Sequence, residues 1–138
     1  MRLQTNTLLA IYSVIEFAAD PARTIAAAEI AQKHGVSAHH LAKVLAELAR
    51  ANVVESVRGA GGGYRFAGNA RRLTLLDIIR MFEDLDSRPA PRARADAPRA
   101  VEVALSEVLA EVDDIARSTF ASITIATMLR LVDRHRKR

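Results

Sequence analysis

A chain of 138 residues suits one compact domain with at most an added dimer-forming element, and its 50% hydrophobic content supplies a proper core and argues against overall disorder. Twenty Lys and Arg stand against sixteen Asp and Glu, and a net charge of +4 is compatible with a polyanionic partner without demonstrating one. There is no cysteine, which excludes disulfides, thiol catalysis and Cys-ligated zinc or iron–sulfur centres together.

The first helix is predicted over residues 5–19. It is apolar almost all round (Leu8, Leu9, Ile11, Tyr12, Val14, Ile15, Phe17, Ala18), so it must be covered on several sides. Ser13 and Glu16 interrupt the run, which is too short to span a bilayer. No small-residue cleavage site follows Met1-Arg2-Leu3, so no signal peptide and no membrane partner are expected, and the expected location is cytoplasmic. Asp20-Pro21 ends the helix. Thr24 is expected to cap a second helix over about residues 25–34, closed by Gly35. Ser37 then caps a third over 38–51, whose Leu41, Val44, Leu45 and Leu48 form a buried stripe at i, i+3, i+4, i+7. His39, His40, Lys43, Glu47 and Arg50 fall off that stripe, toward solvent or a partner.

After Asn52 the period changes. A β-branched run, residues 53–58, leads through Gly59-Ala60-Gly61-Gly62-Gly63 into Tyr64-Arg65-Phe66-Ala67, the pattern of a hairpin with a glycine loop. Thr74 opens a helix over 75–86, with Asp77 placed for a capping box and Leu75, Ile78, Ile79 and Phe82 as its apolar face. Composition shifts at Ser87: residues 87–99 hold three of the four prolines and four arginines, which reads as a flexible linker or exposed loop. From about residue 100, Val101, Leu105, Val108, Val112, Ile115 and Thr119 alternate by four and three, a heptad seam. Thr124 caps a last short helix holding Ile125, Met128, Leu129 and Val132, and the basic tail 134–138 suits a helix C-terminus. The chain thus divides into a body over 1–86, a Pro/Arg-rich loop over 87–99, and a C-terminal part over 100–138.

The fold class is mainly α with a small β-hairpin, and the order helix, short turn, capped helix, hairpin is that of a winged helix-turn-helix followed by a long C-terminal dimerisation helix. A groove-reading helix must pack one face on its domain and present polar side chains on the other, with its N-terminal N–H groups toward phosphate. Ser37, His39, His40 and Lys43 lie in the first two turns of the third helix, where such contacts are made. Arg58 and Arg65 flank the glycine loop, and an arginine there is drawn by the negative potential of a narrow minor groove. Adjacent His39 and His40 diverge by about 100° on a helix and do not chelate one metal ion together. The glycine run lacks a Gly-Lys-Ser/Thr ending and leads into a strand, which speaks against a nucleotide loop. No set of Ser, His and Asp or of paired carboxylates singles itself out, so no enzyme, no metal and no cofactor are expected.

Several stretches carry a more specific likeness. Met1-Arg2-Leu3, Val36-Ser37-Ala38-His39-His40-Leu41-Ala42-Lys43-Val44, Val57-Arg58-Gly59-Ala60-Gly61-Gly62-Gly63-Tyr64, Leu75-Leu76-Asp77-Ile78-Ile79-Arg80 and Ser122-Ile123-Thr124-Ile125 together resemble the Rrf2 family of winged helix-turn-helix regulators, over almost the whole chain. The resemblance implies a homodimer joined by the long C-terminal helix and bound to a palindromic operator on double-stranded DNA, with a repressor the expected mode. It places base contacts on His39, His40, Lys43 and Arg58 and a phosphate contact on Ser37; Gly61, Gly62, Tyr64 and Arg65 complete the expected DNA-facing set. The dimer seam is expected at Val101, Leu105, Val108, Val112 and Ile115. Ala42 stands where some members use a longer side chain, which implies a different operator preference. Cluster-binding members carry three cysteines between the fourth helix and the dimer helix, and here residues 87–99 hold none, so no iron–sulfur sensor is expected. The effector is left open between a small molecule and a protein. A winged-helix protein-interaction module that no longer reads DNA is the alternative.

Overall fold

The computed structural model describes residues 2–85, 96 and 98–138. Its elements run α1 (Thr5–Ala19), α2 (Ala27–His34), α3 (Ala38–Arg50), β1 (Val54–Val57), β2 (Gly63–Phe66), α4 (Leu75–Phe82), α5 (Arg99–Ser122) and α6 (Ile125–Arg136). The first helix is the hub. Leu9, Ala10, Ile11, Val14, Phe17 and Ala18 are buried along it, and α3, α4, α6 and β2 all pack against it. Its one buried serine, Ser13, donates its hydroxyl hydrogen to the Leu9 carbonyl at 2.7 Å, whereas the buried Thr7 hydroxyl of the same helix has no hydrogen-bond partner.

The second helix begins two residues later than its expected start at residue 25, and Thr24 does not cap it: the N-cap position is Ala26, without a side-chain bond. Ile25 is extended instead. Its N–H donates to the Tyr64 carbonyl at 2.8 Å and its carbonyl accepts from the Tyr64 N–H at 2.9 Å. A β-branched side chain with 1% exposure gains more from joining the edge of the hairpin than from opening a helix. Gly35 closes α2 as expected, with a φ of 66°, and Ser37 caps α3.

The hairpin is antiparallel in the register Val54↔Phe66, Glu55↔Arg65, Ser56↔Tyr64, Val57↔Gly63. Gly63 is therefore a strand residue and not part of the loop. A Cβ at Gly63 would lie 2.3 Å from the Ile25 carbonyl oxygen, so the bridge to residue 25 requires glycine.

The capping box of Thr74 and Asp77 opens α4 as expected, but the helix stops at Phe82, short of residue 86. Glu83 is extended, and an acidic side chain just past the last turn opposes the helix C-terminal dipole. Of the 87–99 loop, only Asp96, Pro98 and Arg99 fall within the described residues, and Arg99 already starts α5. No residue of α5 is buried. Its half-buried positions, among them Glu102, Ser106, Ala110, Arg117 and Phe120, form the stripe that faces its own chain, where α5 meets α4. The Arg117 guanidinium donates to the Leu85 carbonyl at 2.7 Å on that side.

The last helix returns to the N-terminal body. Thr124 caps it, Ile125 is fully buried, and the connection is stitched by Leu75 N–H to Ile123 O (2.9 Å), Ile125 N–H to Leu73 O (2.8 Å) and Ala126 N–H to Ala70 O (2.8 Å). Residues 125–136 thereby complete the core around α1. Ile125→Ala is expected to cost about 2–5 kcal/mol in urea unfolding, whereas Leu131→Ala on the exposed side of α6 is expected to change stability by less than about 1 kcal/mol.

Candidate nucleic-acid interface

The third helix separates its residues sharply. Leu41, Val44, Leu45 and Leu48 are buried on the core side, while Ser37, His39, Ala42, Lys43, Ala46 and Arg50 are exposed on the other. His40 is half-buried. The Ser37 Oγ accepts the His40 N–H at 3.0 Å, which fixes the first turn and leaves the hydroxyl hydrogen available to a phosphate oxygen. Lys43 forms no ion pair among the described residues. Two turns further, Arg50 is held by Glu47 at 2.8 Å.

Cations around the helix-turn-helix are mostly paired. Arg23 donates to Glu29 at 2.8 Å; Lys33 donates to Glu16 at 3.0 Å, and His34 lies 3.7 Å from the same carboxylate. Tyr12 stacks on the His34 ring at a centroid distance of 5.8 Å. The contacts of Glu16 and Tyr12 with Lys33 and His34 tie α1 to α2, and α2 in turn packs on α3, so they brace the angle at which α3 is presented.

In the wing, Arg58 is exposed and makes no hydrogen bond or ion pair among the described residues. The loop turns tightly: Gly61 takes a φ of 74°, and the Gly62 N–H donates to the Gly59 carbonyl at 2.9 Å. Gly61 sits exposed in the loop, while the Gly62 N–H is used inside it and is not offered to a phosphate. Tyr64 is half-buried against the core and spends its backbone groups on Ile25. Arg65 is not free either: its Nε donates to Glu55, its register partner on β1.

The expected DNA-facing residues therefore divide. Ser37, His39, Lys43, Arg58 and Gly61 stand exposed, His40 is partly covered, Gly62 and Tyr64 serve the hairpin, and Arg65 is paired. Glu55 and Ile25 are the two contributors that sequence reasoning missed. Ile25 left a signal, because Thr24-Ile25 is a β-branched pair ahead of an alanine-rich helix. Glu55 did not: a loop over 59–63 sets residue 65 across from 57, and the observed register is centred one residue earlier, at residue 60.

The chain's similarity to known proteins agrees with this fold. A family model described as Rrf2, iron-dependent transcriptional regulator, matches residues 3–131. A Rhodopseudomonas palustris protein described as an HTH-type transcriptional regulator, BadM, is 48% identical over 140 residues, covering 100% of this chain and 87% of that protein. Among solved structures, Staphylococcus aureus CymR in its oxidized form shares the fold with a TM-score of 0.76 at 23% identity, over 94% of this chain and 96% of that one. T. potens IscR does so with a TM-score of 0.70 at 26% identity, over 96% and 88%.

The family's description names iron, and the donors in this chain do not match it. The sequence has no thiolate, the described residues contain no group of three His, Asp or Glu that could hold a metal ion, and the remaining residues add only Asp86 as a donor. These residues do not fit an iron or iron–sulfur centre. A chelator is accordingly expected to leave the melting temperature of the purified protein unchanged; a drop on chelation would show a structural metal that the donor set does not explain. With the family model spanning most of the chain and a relative aligned along its full length, the chain belongs to the Rrf2 family of transcription regulators.

Proposed function

We propose that this chain is a sequence-specific DNA-binding transcription regulator, a repressor that acts as a homodimer on an inverted-repeat operator without an iron–sulfur cluster. The observation that carries the reading is the pairing of an exposed, capped α3 N-terminus, bearing His39 and Lys43, with a glycine wing whose Arg58 is unpaired. In this reading α3 enters the major groove, where Lys43 reads acceptor atoms on base edges and Ser37 holds a phosphate. Arg58 reaches the adjacent minor groove, and Gly61 lets the loop approach the backbone. Repression follows from occupancy, since a dimer seated across both grooves blocks access to the same DNA.

The dimer is supported by α5. Val101, Leu105, Val108, Val112 and Ile115 are 54–61% exposed along its whole length. That seam lies about a third of a turn from the stripe that packs on the chain's own body, so folding of one chain does not cover it. A second copy offers the same seam, and a two-fold interface matches a two-fold operator. Among the described residues no helix is long and apolar enough to cross a membrane, and the cytoplasm, where the DNA is, is the proposed location. The signal enters through a small molecule or a protein, since the donors for iron are missing.

The test is binding to a duplex selected by the protein from a random pool. Arg58→Ala is expected to weaken that binding by about 1–3 kcal/mol, and Lys43→Ala to weaken it by a similar ~1–3 kcal/mol concentrated at one position of the site. Both variants binding as tightly as the parent, or a parent with no preference over random duplex, would overturn the reading in favour of a protein-interaction module. For the dimer, Val108→Asp places a charge in the seam and is expected to give a folded monomer in sedimentation, with operator affinity lowered; an unchanged dimer would place the interface elsewhere.

A further inference from the structure

The wing carries two arginines with opposite fates. Arg58 stands exposed and unpaired, whereas Arg65 donates its Nε to Glu55. Both members of that pair are 48% exposed. Val54 and Phe66 are buried and Tyr64 is half-buried against the core, so strand alternation turns Glu55 and Arg65 to the opposite, solvent face. The register pairs them directly across the ladder, where side chains meet without a rotamer search. A pair this exposed adds little to fold stability. Its effect is on charge: it leaves the outer face of the wing neutral where Arg65 alone would make it positive.

We propose that Glu55 is a positioning residue that withholds Arg65 from the DNA backbone, so that the wing engages DNA through Arg58 and its sequence-blind affinity is held down. A phosphate approaching Arg65 meets the Glu55 carboxylate at the same place, and displacing Glu55 leaves that carboxylate facing the polyanion. The pair therefore releases no net counterion on binding, unlike a free arginine. Weak attachment to arbitrary sequence shortens the stay at wrong sites during a search along DNA. Arg58, with no carboxylate beside it, keeps its full charge for the groove. This inference rests on the DNA-binding reading above.

The test uses the full chain in four forms: parent, Glu55→Gln, Arg65→Gln and the double variant. Each is titrated onto a random-sequence duplex by fluorescence anisotropy over a series of salt concentrations. Glu55→Gln is expected to bind several-fold more tightly at low salt, with a salt slope steeper by about 0.9, the signature of one added phosphate contact. Arg65→Gln is expected to bind more weakly than the parent, because Glu55 is left uncompensated. The double variant is expected to match the parent in affinity and slope. A double variant as weak as Arg65→Gln would show that Arg65 holds a phosphate in the parent and would overturn the proposal, as would a Glu55→Gln protein that behaves like the parent. Preference for the selected duplex is scored separately. Its absence in a parent that still shows the expected random-duplex pattern overturns the regulator reading alone, and no DNA binding by any of the four overturns both.

Discussion

Everything in this molecule is arranged around the burial of α1. A helix with apolar residues on nearly every side cannot rest on one neighbour, and here α3, α4, α6 and β2 all close on it. Two consequences follow. The helix that carries the exposed polar residues, α3, is braced on a hub that also holds the wing through β2, so α3 and the wing share one support. The C-terminal helix α6 must come back to the body, with Ile125 as its fully buried anchor, and the chain between α4 and α6 is left to project α5 as an element with no buried residue of its own. An exposed α5 seam is thus the counterpart of an α1 that packs on several sides, with Tyr12 left exposed.

The electrostatics add a second layer of organisation. Glu16, Glu29, Glu47 and Glu55 each hold a cation, on α1, α2, α3 and β1 respectively. Exposed pairs of this kind contribute little to stability. They do decide which positive charges remain available. Lys43 on α3 and Arg58 in the wing are left unpaired, at the two places where a winged helix-turn-helix meets DNA. A modest net charge of +4 is then sufficient, because distribution and not total charge sets where a polyanion is held.

Much of this was legible in the sequence because local chemistry decided it. Ser37, Thr74 and Thr124 announce their helices by capping, Gly35 closes α2, and the stripe from Leu41 to Leu48 is the one that is buried. What escaped was decided by tertiary pairing. Thr24 looks like a cap until Ile25 finds Tyr64, and α4 ends at Phe82 where Glu83 turns extended, a break that periodicity does not register. The site followed the same rule. Exposed Lys43 and Arg58 could be chosen from motif position, but the capture of Arg65 by Glu55 required the hairpin register, and the inward role of Tyr64 required the bridge to residue 25.

In the function we propose, one rigid body presents α3 and the wing together, twice, to adjacent grooves of DNA. Hydroxyl-radical footprinting on a duplex selected by the protein tests this most directly. Two protected patches related by a dyad are expected on one face of the helix, about 34 Å apart, each flanked by a minor-groove protection from the wing. Protection confined to a single patch without two-fold symmetry, or spread evenly along the duplex, would contradict it.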